Sequence, residues 1–232
     1  MTATTNRLHG AVEEAVESVL DRCEHYANYM RQISPVTPHD VFRRYLFAYC
    51  TVNLSWESSV RLYTLLGALH WPASEADIRA AFIEARAGFQ ETRPRYIADF
   101  SGRYFHGLAS YIKFTYRPGT SWTSWRHGLE KRILGLGRVK ISFSMELIYP
   151  ESTEIVCLDR HMLGRVFHQD PSAGISESTY MHCEKRWVDC CRHYHVAPGI
   201  ARLAYWDWMQ GREDPDYWAF VFKQHKEAVC LK

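Results

Sequence analysis

An all-helical chain of two lobes is what this sequence predicts, and three observations carry the prediction. Apolar residues recur at helical spacing over most of its 232 residues. The interruptions fall at Pro, Gly and Ser/Thr/Asp clusters, which stop and cap helices. The run that reads as extended, EIVCL at 154–158, is short.

The elements follow in order. Val12, Val16, Val19, Leu20, Cys23 and Met30 place a helix over Leu8 to Met30, which SPVTPHD breaks. Thr37 is a candidate N-cap with Pro38 at the first helical position, ahead of a helix through Val41, Tyr45 and Tyr49. TVNLSWES interrupts it, and Val60 to Leu69 resumes. Ser74 and Asp77 have the spacing of a capping box for EADIRAAFIEA. RPGT is a turn between an aromatic, basic stretch and a helix over 121–134. A second helix spans 138–148 and ends at Pro150. Further helices cover 160–167, 177–194, 199–210 and 216–227. There is no repeat, low-complexity tract or long linker. The approximate lobes are 1–92 plus 177–232, and 93–176.

Composition sets broad limits. Hydrophobic residues make up 47% and aromatics 14%, enough for a core with rings to spare for stacking. The net charge of +2 excludes a histone-like polycation but leaves room for a local basic patch. Seven cysteines without small-scaffold spacing are expected to be reduced cytosolic thiols. The N-terminus lacks a signal-peptide core, and no apolar run reaches membrane length. A soluble, monomeric, cytoplasmic protein without a membrane partner is the expectation.

The most informative stretch is ILGLGRVKISFSMELIYPESTEIVCLDRHML, residues 133–163. Helix 121–134, Gly135-Leu136-Gly137 and helix 138–148 spell a helix-hairpin-helix. The glycines permit a sharp turn, and the first amides of the second helix form an anion site. Five cations, Arg126, Lys131, Arg132, Arg138 and Lys140, lie between Trp122 and Lys140 against one Glu. Gly135, Gly137, Arg138, Lys140, Arg126 and Arg132 are therefore candidate contacts to DNA phosphates, which position a protein without reading sequence. Asp159 follows the short extended run and precedes a new helix, whose dipole favours negative charge there. A plain N-cap and a catalytic acid are compatible roles for it.

The order of these parts resembles the helix-hairpin-helix DNA glycosylase superfamily, whose pattern runs Leu-Pro-Gly-Val-Gly, a helix, a short run, then Val-Asp-x-His. ILGLG at 133–137 and LDRH at 158–161 match in order and approximate spacing. The resemblance implies the two-lobed all-helical glycosylase fold, with Asp159 as active-site acid. YCTVNLSWESSV at 49–60 looks like the family segment whose glutamine enters the DNA stack, and Asn53 would take that place. As a helix-end polar residue Asn53 has an equally good structural reading.

Two departures narrow the chemistry. The family's lyase lysine lies two residues after the second glycine, where this chain has Val139. Lys140, one residue on and about 100° around the helix, is read as a phosphate contact. A one-residue shift in the hairpin would restore the nucleophile, so both roles stand open. Cys183, Cys190 and Cys191 lack the family's iron–sulfur spacing and are read as helix-packing residues. Zinc held with His182, His193 or His195 is the alternative. The expectation is no metal or cofactor.

The stretch 92–117 interleaves Arg93, Arg95, Arg103, Lys113 and Arg117 with seven Tyr or Phe. Most of the aromatics are expected in the core and some of the cations on nucleic acid. Trp122 and Trp125 are read as core, although a place beside a flipped base is open to them.

An aspartate facing an extruded base supports two reactions. The sequence looks like the phage alpha-glutamyl/putrescinyl thymine pyrophosphorylase branch of the superfamily. That resemblance implies replacement of pyrophosphate on 5-pyrophosphoryloxymethyluracil in double-stranded DNA by an amino acid or polyamine amine. The alternatives are a monofunctional glycosylase that excises a modified base, and a non-catalytic DNA-binding module. On the branch reading the location is the host cytoplasm.

Overall fold

A computed structural model describes residues 3–107, 110–170, 174–213, 215, 216, 218, 221 and 222. In chain order the helices are α1 (Ala3–Glu17), α2 (Leu20–Gln32), α3 (Pro38–Cys50), α4 (Trp56–Gly67), α5 (Glu75–Glu84) and α6 (Arg93–Phe105). A 3-10 turn, Ser110–Phe114, precedes α7 (Trp122–Arg132), α8 (Arg138–Ile148), α9 (Arg160–Phe167), α10 (Glu177–His193) and α11 (Pro198–Met209). No strand occurs among the described residues. The all-helical expectation holds; 154–158, expected to be extended, has no regular secondary structure, and the Leu158 amide turns back to the Val156 carbonyl. The helix expected over 216–227 lies mostly outside the described residues.

Cap chemistry explains several helix starts. Thr37 accepts from the Asp40 amide while the Asp40 carboxylate accepts from the Thr37 amide, a complete capping box with Pro38 next to it. Ser55, Ser74, Ser121 and Ser176 each cap a helix through the hydroxyl. The helix expected over Leu8 to Met30 is in fact two. The Ser18 hydroxyl donates to the Ala15 carbonyl at 2.8 Å, and the Val19 amide reaches Val16 in a tightened last turn.

The chain divides into two compact units. One is Met1–Ser34 with Met145–Tyr217; the other is Pro35–Ser144 with Trp218–Lys232. These limits differ from the lobes read at 1–92 plus 177–232 and 93–176. Helix breaks guided the sequence reading, whereas one division runs through the continuous helix α8, where no break exists to be read.

In the first unit α1 packs on α9, α10 and α11, and α2 packs on α11. Val16, Val19, Tyr26, Leu158, Met162, Trp187 and Ala201 are fully buried there. The Tyr26 hydroxyl donates to Asp207 at 2.9 Å, satisfying a carboxylate that is itself buried. In the second unit α3 packs on α4 and α6, and α5 on α4 and α6. Its core consumes much of the aromatic surplus: Phe42 touches the rings of Trp71, Phe100, Tyr104 and Phe105. Trp122 stacks flat on Tyr116 at 3.7 Å, and both Trp122 and Trp125 are 7% exposed, so these tryptophans belong to the core. No helix among the described residues is long and apolar enough to cross a membrane.

Candidate functional site

The hairpin forms at the expected residues. The Ile133 amide closes α7 on Leu129, and the Leu136 amide bonds back to Ile133. The Gly137 carbonyl then accepts from both Lys140 and Ile141 to start α8. The two glycines serve different ends. Gly135 has φ +82°, and a Cβ there would meet the Tyr96 ring at 2.6 Å and the Tyr49 ring at 3.3 Å. The fold itself excludes a side chain at this position. Gly137 is exposed, and a Cβ there would meet nothing. The fold does not require it, while an outside surface approaching the first amides of α8 would. The Tyr49 hydroxyl pins the turn by donating to the Leu134 carbonyl.

The basic residues fall into distinct roles. Arg126 is 1% exposed and donates to Ser142 at 2.9 Å, tying α7 to α8. Its reading as a phosphate contact is therefore corrected. Glu130, one helical turn on, lies 3.8 Å from its Nε. Arg138 is partly exposed and pairs with Glu130 at 3.4 Å. Arg132 is exposed, with its guanidinium on the Lys113 carbonyl at 3.2 Å. It lies on the rim of a cavity of about 490 Å³ with Arg103, His106 and Lys113.

Lys140 points back into the second unit. Its ammonium donates to Thr51 Oγ1 at 3.0 Å and lies 5.5 Å from the Phe143 ring. Thr51 caps α3, and two residues later Asn53 is exposed with φ +52°, a conformation that Asn adopts more readily than most residues. The structure thus brings Lys140 to the segment that carries Asn53.

Asp159 belongs to the first unit. It caps α9: Oδ1 accepts from the amides of His161 at 2.9 Å and Met162 at 3.0 Å. Its Oδ2 accepts from the Trp206 indole N–H at 3.2 Å. A carboxylate offers about four acceptor positions. Three donors hold this one in place and leave acceptor capacity on a half-buried residue. That suits a carboxylate required to meet a developing positive charge or a water molecule.

Sequence reasoning missed what holds Asp159. The run before it has no strand beside it among the described residues, so its polar groups need other partners. Buried side chains supply them. Glu184 accepts from the Val156 amide at 2.9 Å, and Glu146 accepts from the Cys157 amide at 2.7 Å. The Tyr180 hydroxyl donates to the Val156 carbonyl at 2.8 Å and accepts from the Leu158 amide at 3.1 Å. Glu146, which is fully buried, is in turn gripped by both Arg202 Nε, at 2.9 Å, and Arg202 Nη2. Burial pushes the Glu146 carboxyl up to about 7, against the pull of the Arg202 guanidinium and the Cys157 amide. Burial likewise works to lower Arg202, but Glu146 outweighs it and holds the guanidinium above the usual arginine range. A faint signal was present: one acid in the apolar helix ISFSMELI and one base in the apolar helix GIARLAYW.

Cys183 and Cys191 are buried in the same unit and Cys190 is half-buried. Burial pushes all three thiols up. Among the described residues no three His, Cys, Asp or Glu side chains gather as a metal site.

No protein-family model matches the sequence, and no curated protein matches it. Solved structures do match. The chain is similar to the Methanocaldococcus jannaschii 8-oxoguanine glycosylase/lyase in complex with 15mer DNA containing 8-oxoguanine. There the TM-score is 0.70 and the identity 16%, over 86% of this chain and 97% of that one. It is also similar to the same organism's 8-oxoguanine DNA glycosylase, at TM-score 0.66 and 17% identity over 90% and 97% of the two chains. The 8-oxoguanine DNA glycosylase of Thermotoga maritima gives 0.66 and 20% over 90% and 99%. At these identities the likeness is one of fold, and the fold is that of the helix-hairpin-helix DNA glycosylases.

Proposed function

We propose that this protein is a DNA glycosylase that excises a modified base, with Asp159 as its catalytic carboxylate. One observation carries the reading. In a fold shared with DNA glycosylases, a carboxylate at a helix start is fixed by three donors and retains acceptor capacity. In the proposed reaction the target nucleotide leaves the stack. The bond from C1′ to the base breaks, and its electron pair departs with the base, which takes up a proton. The sugar acquires oxocarbenium character beside Asp159. Water adds to C1′ and passes its proton to the Asp159 carboxylate, leaving an abasic site and a free base. The exposed Gly137 and the first amides of α8 would take a backbone phosphate, with Arg138 and Arg132 adding charge. Asn53, exposed on its turn, would enter the DNA stack.

A second reading rests on the resemblance of the sequence to the thymine-modification branch. Val139 stands at the lyase-lysine position, and Lys140 donates to Thr51. A lysine adduct at C1′ is then not the expected route, which is compatible with the glycosylase and equally with attack at another carbon. In that case pyrophosphate leaves the exocyclic methylene of 5-pyrophosphoryloxymethyluracil, an amine of an amino acid or polyamine attacks the same carbon, and Asp159 receives the amine proton.

Nucleoside mass spectrometry separates the two. Duplexes carrying 8-oxoguanine, other damaged bases or 5-pyrophosphoryloxymethyluracil are incubated with the protein, with and without amines. A free base and an abasic site establish the glycosylase. An amine-bearing nucleoside with released pyrophosphate establishes the transferase. DNA binding with neither product overturns both and leaves a binding module.

A further inference from the structure

We propose that Glu146 and Arg202 are positioning residues for Asp159, acting through the backbone amide of Cys157. The inference rests on the reading of Asp159 as the catalytic carboxylate.

Stability alone gives little reason for this pair. Two charges taken fully out of water cost more than most ion pairs return, and well-packed apolar residues in their place are often neutral or stabilising. Glu146 is 0% and Arg202 2% exposed, so the full desolvation cost applies. The geometry points to what the charges accomplish. Glu146 Oε1 accepts at once from Arg202 Nε at 2.9 Å and from the Cys157 amide at 2.7 Å. A charged acceptor makes the shorter and stronger bond, about twice a neutral one. Arg202 pulls that buried acceptor back toward its charged form through two guanidinium donors.

Cys157 lies two residues before Asp159 in backbone that no sheet restrains. Fixing its amide fixes the direction in which the chain enters α9, and hence where the Asp159 carboxylate lies. The local packing is adapted to the pair. A Cβ on Gly199 would meet the Pro150 carbonyl at 3.1 Å, Thr153 at 3.2 Å and Glu146 Cγ at 3.4 Å. The bare glycine in the first turn of α11 lets that helix come close enough for Arg202 to reach Glu146. Glu184 and Tyr180 hold Val156 and Leu158 on either side, so each amide from 156 to 158 ends on a buried side chain.

The test separates position from stability and needs no substrate. The Asp159 cap reports its own place through the His161 and Met162 amides and the Trp206 indole proton. We would compare the wild type with Glu146→Leu/Arg202→Met and Glu146→Gln/Arg202→Met by NMR and amide exchange, with thermal unfolding alongside. The apolar pair is expected to keep the melting temperature. Its His161 and Met162 amides should exchange at least tenfold faster, with the Trp206 indole resonance displaced. The Glu146→Gln/Arg202→Met variant, which restores an acceptor for Cys157, should move both readouts back toward wild type. A folded apolar pair with wild-type exchange and indole resonance would overturn the proposal. If the apolar pair fails to fold, Arg202→Lys keeps the charge but loses the two-pronged grip. There the indole resonance should shift, and an unmoved one overturns the proposal equally. Base release from an 8-oxoguanine duplex is measured in parallel, with Asp159→Asn as control. Activity in that control would sink the catalytic reading while the NMR arm still judges the positioning.

Discussion

The hairpin around Gly135 and the run 156–158 before Asp159 are both irregular backbone that must be held still, and opposite means hold them. In the hairpin the main chain does most of the work. Gly135 takes a left-handed conformation, amides bond within the turn, and a single hydroxyl, from Tyr49, pins the tip. In the run 156–158 side chains do the work: two buried carboxylates and a tyrosine take the amides that a second strand would otherwise take. The difference follows from solvent. An exposed turn can leave the first amides of α8 for a phosphate, since water serves them meanwhile. A buried segment must satisfy every group internally. One region leaves backbone amides toward solvent, and the other holds a carboxylate in place.

Breaking the buried support should have the largest effect. Glu146→Ala leaves Arg202 buried without its carboxylate and should cost about 3–5 kcal/mol in chemical denaturation. Asp159→Asn sharpens the contrast by removing the charge. The Asn oxygen still caps α9, but its NH2 faces the Trp206 indole N–H, so stability should fall by only about 1 kcal/mol. Single-turnover product formation should fall about 10²–10³-fold, roughly 3–4 kcal/mol of barrier. The two hairpin glycines test each other. Gly135→Ala should lose about 1–2 kcal/mol of stability from its backbone conformation, with the Tyr96 ring forced to shift. Gly137→Asp, a good N-cap in open space, should leave unfolding within about 0.5 kcal/mol. It should weaken duplex binding about tenfold in fluorescence anisotropy by setting a negative charge where a phosphate would approach. The smallest effect is expected from Arg132→Ala: unchanged stability, and a salt dependence of duplex binding shallower by about 0.9. Wild-type binding in both Gly137→Asp and Arg132→Ala would remove the hairpin from the DNA interface.

Alone, the sequence determined whatever local chemistry decides. Thr37 and Pro38 start α3, Gly135 turns the hairpin, Arg138 to Ile148 forms α8, and Asp159 caps α9, because caps, glycine conformations and helical periodicity act within a few residues. Ser18 shows the limit of that legibility: the apolar period runs on past it, and a side-chain bond to Ala15 marks the break. Tertiary structure decided everything that depends on which polar group is buried beside which. From sequence Arg126 and Arg132 are equal cations six residues apart, yet one is sealed against Ser142 and the other is exposed. Glu146 and Arg202 stand 56 residues apart, each an anomaly in an apolar helix. Only folding joins them, because a buried charge must find its counter-charge wherever the chain brings one.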